Sequence, residues 1–299
     1  MGTGGLWLPP DGACVDNNRR IWYGSGCAGP CGAPLGDAPA PFGYSPTVSR
    51  LPVRFTRILP MVLCFLVAAC AANDASRNQA SYHYQMGLSH LGENDTTRAL
   101  IEFIEAEKIT PDDPILLNSL GLAYFYKKRF DLAELKFRKA ISLKPDYSDA
   151  RNNLGVNYLE MQRWDDAISQ FKLVMADILF LNQEDARINL GLAYLGKGDL
   201  PQALETLRAS VSHNPRNLIA RVAIGRVYFA MDRAEMAIQE YRKAIEINKN
   251  YQNAHYYLAL AHVKQKDYVA AADAFREAIR IAPDSEKGRL SREYLDSLK

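Results

Sequence analysis

Cysteine is missing from about three-quarters of this chain. The sequence holds five, Cys14, Cys27, Cys31, Cys64 and Cys70, and none follows Cys70. Thiol catalysis and a disulfide framework are therefore excluded from residue 71 onward. A surplus of positive charge is also missing. Five of the 36 Lys/Arg and three of the 34 Asp/Glu lie at or before Cys70, leaving 31 of each sign beyond it. Nucleic-acid binding needs clustered Lys/Arg in excess, so nucleic acid is not an expected partner. No apolar run reaches the ~20 residues that span a bilayer as a helix. No HExxH, GxSxG or GxxxxGK[ST] is present. "GTGG" at the start and "GSG" at 24–26 neither follow a strand pattern nor open a helix, so they are not phosphate loops. The reading is of a chain that is not an enzyme, with no cofactor, no metal and no small-molecule substrate.

What is present divides sharply. Ten of 19 glycines fall in the first 50 residues, and nine of 15 prolines fall at or before Pro60. The stretch "CAGPCGAPLGDAPAPFGYSP" has neither helical nor strand period and offers no face to pack. Cys27 and Cys31 sit in it without a second pair or a histidine cluster, and read as chance. Residues 1–52 are expected to be disordered or to precede a wrongly assigned translation start.

Arg54 and Arg57 then lead into the apolar stretch Ile58–Ala69, the length of a signal-peptide core. It ends Val67-Ala68-Ala69-Cys70. Small residues before a cysteine resemble the bacterial lipobox, in which the cysteine receives a lipid and becomes the new N-terminus. A plain secretory signal and a buried strand are the other readings of the same run. On the lipoprotein reading 53–69 is the signal peptide, Cys70 is the lipidation site and 70–79 is a linker. Acyl chains anchor through about 0.8 kcal/mol per buried CH2. A 53-residue leader before such a signal is out of place. A start at Val53 or Leu51 would put the basic pair near the N-terminus, whereas Met61 would remove both arginines.

From Ala80 the chain repeats itself. Gly87, Gly121, Gly155, Gly191 and Gly225, then Ala259, recur with Ala99, Ala133, Ala167, Ala203, Ala237 and Ala271 twelve residues after each. The period is 34, except for one unit of 36. Each unit holds two amphipathic helical patterns joined by a short polar turn such as "KKRFD" or "MQRWD". Small residues sit where helices approach closely, and Leu120, Tyr124 and Phe137 fill beside them. Pro111, Pro145, Pro215 and Pro283 stop the second helix of their units. Unit three lacks that proline and reads "LVMADILFLNQ", unit five has Lys249 there, and unit four has Leu207 and Ser210 in place of Phe and Ala. Looser packing or a changed superhelical path is expected around 174–184. After Pro283, Leu290, Tyr294 and Leu298 at spacing four predict a cap helix.

Leu120-Gly121, Tyr124, Ala133, Phe137, Ala140 and Pro145 have the spacing of the tetratricopeptide repeat, and the resemblance covers about two-thirds of the chain. It implies an all-α, right-handed α-solenoid of about six helix hairpins (80–113, 114–147, 148–183, 184–217, 218–251, 252–285) plus a capping helix at 286–299. No unit buries its apolar face alone, so stacking supplies the core.

The histidines are weak candidates for chemistry. His83 and His90, like His255 and His262, are seven apart. In a helix that is about 10.5 Å along the axis, too far to share an ion. They fall where the repeat carries aromatics and read as core. His213, near a helix end, suits the dipole there.

The resemblance further implies that positions five, nine and twelve of each first helix line a concave groove. These are Asn118, Leu122 and Phe125; Asn152, Val156 and Leu159; Ile188, Leu192 and Leu195; Arg226 and Phe229 (with Val222); and Tyr256 (with Leu260 and Val263). Tyr84, Leu88 and Leu91 complete the set in unit one. The series is mostly apolar and suits an amphipathic helix or an extended apolar segment. Only Arg226 is basic, which disfavours a clamp for a peptide carboxylate.

A lipoprotein carrying these repeats about ten residues after its cysteine, with an interrupted third unit, is similar to the type IV pilus biogenesis pilotin family. That family binds the secretin subunit and assists its assembly in the outer membrane. The likeness implies a protein partner, a secretin segment, and a lipid anchor in the membrane. Ala71-Ala72-Asn73, with no aspartate after Cys70, implies the outer membrane with the domain facing the periplasm. The alternative readings are a lipoprotein scaffold for cell-wall hydrolases or proteases, and a contact regulator of an enzyme.

Overall fold

The computed structural model of the chain describes residues 74–297. The leader, the apolar stretch 58–69, Cys70 and Leu298 lie outside the described residues. A first helix, α1, runs through 74–92. It is followed by α2 (Thr96–Ile109), α3 (Pro114–Tyr126), α4 (Phe130–Leu143), α5 (Ser148–Glu160), α6 (Trp164–Ala176), α7 (Gln183–Lys197), α8 (Leu200–His213), α9 (Leu218–Ala230), α10 (Ala234–Ile247), α11 (Gln252–Lys264), α12 (Tyr268–Ile281) and α13 (Glu286–Ser297). No strand occurs among the described residues, and no described helix is long and apolar enough to cross a membrane. The architecture is the all-α solenoid of tetratricopeptide hairpins.

One contact recurs through the stack. The glycine of each first helix faces a bulky side chain of the second helix, sixteen residues later. A Cβ on Gly87 would lie 2.5 Å from the Phe103 ring, and one on Gly121 would lie 2.5 Å from Phe137. Gly155 meets Phe171, Gly191 meets Leu207 and Gly225 meets Tyr241 in the same way. Phe103, Phe137, Phe171 and Leu207 have no exposed surface, and neither do Ala99, Ala133, Ala167 and Ala203 beside them. The glycine is thus a matter of space: the ring occupies the volume a methyl would need.

The hairpin turns are equally periodic. Asn94, Lys128, Gln162, Gly198, Asp232 and Lys266 occupy equivalent places, and all have positive φ, between 57° and 85°. Two residues before each second helix begins, the backbone reverses through this left-handed residue. The next N–H then closes back on the first helix. Asp95 N–H donates to His90 O (2.8 Å), Arg129 to Tyr124 O (2.9 Å), Arg163 to Tyr158 O (2.9 Å) and Asp267 to His262 O (3.0 Å). This is the six-to-one bond of a Schellman closure. Only unit four uses the residue that enters this conformation without strain, Gly198.

The second helices end as the prolines require: α2, α4, α8 and α12 stop two residues before Pro111, Pro145, Pro215 and Pro283. Where proline is absent, a polar side chain ends the helix. Asn248 takes the N–H of Asn250 on its side-chain oxygen (2.9 Å). Asp177 accepts from Leu179 N–H (3.0 Å) and from the Ser148 hydroxyl (2.5 Å), while its carbonyl accepts from Gln183 (2.7 Å). Of the two outcomes expected around 174–184, looser packing is not the one found. Phe180 turns inward against Val174, Met175 and Ala186 and closes the joint that the two extra residues would have opened. At the far end, α13 lays Leu290, Tyr294 and Leu295 on the core, with Tyr294 stacked on Phe275 at 5.2 Å.

The two helices of each unit play different parts. Successive first helices touch one another, α3 with α5, α5 with α7, α7 with α9 and α9 with α11, and α11 also meets α13. Among α2–α13 no two second-helix backbones come close; α2 and α4 meet through long side chains, Lys136 reaching Glu107 at 2.6 Å. First helices therefore form a continuous inner layer, and second helices form a spaced outer one.

Two outcomes follow. Gly121→Ala drives a methyl into Phe137 and is expected to lower unfolding free energy by about 2–3 kcal/mol in a urea titration. Gln162→Gly, at an exposed turn with φ 59°, relieves left-handed strain and is expected to raise it by about 0.5–1 kcal/mol in the same titration.

Candidate functional site

The inner layer is the surface that the resemblance assigns to a partner. Its sequence positions behave differently by row. Position five is mostly closed: Asn118, Ile188, Val222 and Tyr256 are buried, and Asn152 is half-buried. Position nine is mostly open: Leu88, Leu122, Val156, Leu192 and Arg226 are half-buried, while Leu260 is buried. At position twelve Leu91, Phe125, Leu195, Phe229 and Val263 are half-buried, and Leu159 is buried. The residues that offer surface are therefore Leu122, Phe125, Asn152, Val156, Leu192, Leu195, Arg226 and Phe229. Asn118, Leu159, Ile188 and Tyr256 form the floor beneath them. Periodicity could not separate floor from wall, because both rows recur on the same helix face.

Polar groups bind the floor together near its front. Asn153 donates to the Asn118 carbonyl oxygen (3.0 Å), and the Asn118 amide donates to the Tyr147 hydroxyl (3.4 Å). Burial pushes the Tyr147 phenol up to about 12, so it stays protonated and serves only in hydrogen bonding. The side-chain oxygen of Asn152 is buried without a hydrogen-bond partner.

The rear of the layer is basic and aromatic. The Arg226 guanidinium lies 5.3 Å from the centre of the Tyr257 ring, and the Lys287 ammonium lies 5.5 Å from it. Tyr257 in turn stacks on buried Tyr241 at 6.0 Å. Burial pulls the Lys287 ammonium down to about 8. Burial likewise raises Tyr256 to about 12. Arg226 is thus accompanied by a second cation that the repeat pattern did not supply. Lys287 lies on α13, beyond the last repeat, and is brought to this place by the packing of α13 on the last hairpin.

Position eleven joins the layers. The Tyr158 hydroxyl donates to Glu134 (3.1 Å) and accepts from Arg138 (3.1 Å), while Arg163 reaches Glu134 at 2.8 Å and lies over the Tyr158 ring. Arg208 donates to the Tyr228 hydroxyl at 2.6 Å. In units one and six a histidine takes this place. His90 is half-buried, 3.4 Å from Glu93. His262 is buried, and its Nδ1 makes no hydrogen bond, lying 3.6 Å from the Asp267 carboxylate. His83 meets Glu102 at 2.8 Å, and His255 meets the Lys249 carbonyl at 2.9 Å. No three His, Cys, Asp or Glu converge as metal ligands among the described residues.

Comparison with known proteins agrees with this geometry. A tetratricopeptide repeat family profile matches residues 114–147 and 252–285, and a second TPR repeat profile matches 225–266. DnaJ homolog subfamily C member 3 of Rattus norvegicus is 24% identical over 136 residues, covering 43% of this chain. The chain spans only 27% of that relative's length. Among solved structures, PilW, described as a widely conserved type IV pilus biogenesis factor, superposes with a TM-score of 0.63 at 20% identity, covering 71% of this chain and 97% of that one. PilF of Pseudomonas aeruginosa superposes with a TM-score of 0.57 at 20% identity, covering 75% and 99%. At these identities the likeness is one of fold. Tetratricopeptide stacks present extended binding surfaces, so protein binding is the activity the fold supports.

The orphaned His262 generates a pH dependence. Burial holds its imidazole below the usual value, reinforced by the Arg242 cation and opposed by Asp267. Unfolded, it takes a proton near pH 6.5; folded, only at lower pH. Stability should therefore be level above about pH 6.5 and fall as pH drops through the window beneath it. His262→Tyr, the residue units two to five carry there, is expected to flatten that part of a urea-midpoint profile relative to the parent chain.

Proposed function

We propose that this tetratricopeptide-repeat chain is a non-catalytic adaptor, anchored by a lipid on Cys70 to the outer membrane and facing the periplasm, that holds a secretin segment along its inner helix layer. The observation that carries the reading is the open row of that layer. Leu122, Phe125, Val156, Leu192, Leu195 and Phe229 stand half-exposed over a closed floor. Such a surface takes an apolar or amphipathic segment by burial of about 25 cal/mol per Å2 of apolar area. Its side chains are already packed against the core, so little ordering opposes binding. The fold shared with PilW and PilF, together with the lipobox-like Val67-Ala68-Ala69-Cys70, supports the secretin as guest.

The test is covalent capture. A photo-crosslinking residue in place of Leu122, Val156 or Leu192, in cells that also carry the natural lipid signal, is expected to yield an adduct containing the secretin subunit. The same residue in place of Gln162, on an exposed turn, is expected to yield none. Deletion of the chain is expected to abolish secretin multimers. Capture of a cell-wall hydrolase or protease, with multimers unchanged, would transfer the assignment to the scaffold reading.

A further inference from the structure

The connection between α6 and α7 reads Asp177-Ile178-Leu179-Phe180-Leu181-Asn182. Phe180 points in, while Ile178, Leu179 and Leu181 point out with 87%, 81% and 95% of their surface exposed. Hydrophobic side chains so bare are rare on a stable fold. Loose chain is not the cause. The turn is pinned by Phe180 in the core, by Phe180 N–H on the Asp177 carbonyl (3.2 Å), by Leu179 N–H on the Asp177 carboxylate, and by the Ser148 hydroxyl on the same carboxylate.

The chemistry of the tip narrows its occupant. It holds no aromatic, arginine or charged side chain from 178 to 183 apart from the inward Phe180, whereas protein hot spots are built on Trp, Tyr and Arg. Of the acids that flank it, Asp177 is held as described and Glu184 turns onto Arg187 (3.0 Å) and the Ser210 hydroxyl, while Asp185, four residues beyond Leu181, is exposed. What points outward at 178, 179 and 181 is three aliphatic side chains, whose chemistry suits hydrocarbon.

Its place in the stack supplies the direction. Hairpins stacked antiparallel put every second-helix end, and so every first-helix start, on one edge. The Asp177–Asn182 turn lies on that edge, and so does α1 near Ala80, where the repeat register begins. Cys70 precedes helical residue 74 by four positions, a reach of about 14 Å when extended.

We propose that the Ile178–Leu179–Leu181 turn is a second membrane contact, an aliphatic wedge that enters the acyl region of the bilayer on the edge of the stack from which the chain is tethered. The proposal deepens the lipid-anchor reading and rests on it for orientation. With the front of the stack already held by lipid, insertion of the wedge is an intramolecular step at high effective concentration. The stack then lies along the membrane, held at its front and its middle.

The absence of cysteine after Cys70 makes the test clean. Leu179→Cys carries an environment-sensitive fluorophore, and the mature protein is reconstituted into vesicles of phosphatidylethanolamine and phosphatidylglycerol. A blue shift is expected, with quenching by a nitroxide on the lipid acyl chain. A label on Gln162→Cys, on the opposite edge, is expected to stay in water. Adding Ile178→Ser and Leu181→Ser, both at exposed sites, is expected to abolish the quenching at residue 179. The mass of the peptide bearing Cys70 reports the anchor separately. A lipidated Cys70 with residue 179 in water would overturn the wedge and leave the anchor standing. A quenched label on a chain without the lipid would support the wedge and sink the anchor. Shielding that arises only on adding a protein partner, without quenching from lipid, would overturn the wedge in favour of protein docking.

Discussion

The whole stack depends on how closely two helices of one hairpin can approach. Glycine on the first helix and a ring or leucine sixteen residues later on the second define that distance in five units. Everything that repeats does so because this contact repeats. The sixth unit shows its tolerance. There Ala259 replaces glycine opposite Phe275, both wholly buried, and the Phe275 ring is covered on its outer side by Tyr294 of the cap helix. In this hairpin the ring is packed by α13.

Much of this was legible in the sequence because close approach dictates residue identity. Glycine, alanine and proline stand out at fixed offsets, and the helices begin and end where they imply. The hairpin turns were not legible, since Lys128, Gln162 and Lys266 do not look like left-handed residues. Their conformation is imposed by the two helices on either side, and only Gly198 declares it. The packing at 174–184, one of the two outcomes expected there, was not legible for a related reason. Proline is one way to end a helix, and an Asp177 carboxylate holding Ser148 is another. The inner layer was half legible. The pattern marks which residues face inward but not which are roofed by their neighbours, so Leu159 and Tyr256 sit in the same series as Leu122 and Phe229 although they are buried. Lys287 escaped notice because its partner Tyr257 lies in a different element, thirty residues earlier.

The polar joints between units show where the stack is strict and where it is lenient. Tyr158 links Glu134, Arg138 and Arg163 across units two and three. Each exposed ion pair alone contributes little, about 0–1 kcal/mol. The partly buried hydroxyl at the centre of the network gives direction to groups that would otherwise spread over many rotamers. Where histidine replaces that tyrosine at position 262, the reach to the preceding helix is lost and an orphaned ring nitrogen remains.

The unequal layers have a mechanical consequence. Since first helices approach backbone to backbone, whereas second helices meet only through long side chains such as Lys136 and Glu107, bending should cost least where it parts the outer helices. Flexing the molecule opens or shuts the gaps between outer helices while the continuous layer slides only slightly. In a stack whose units contact only their neighbours, resistance to such flexing would be shared among the hairpins rather than held at one hinge.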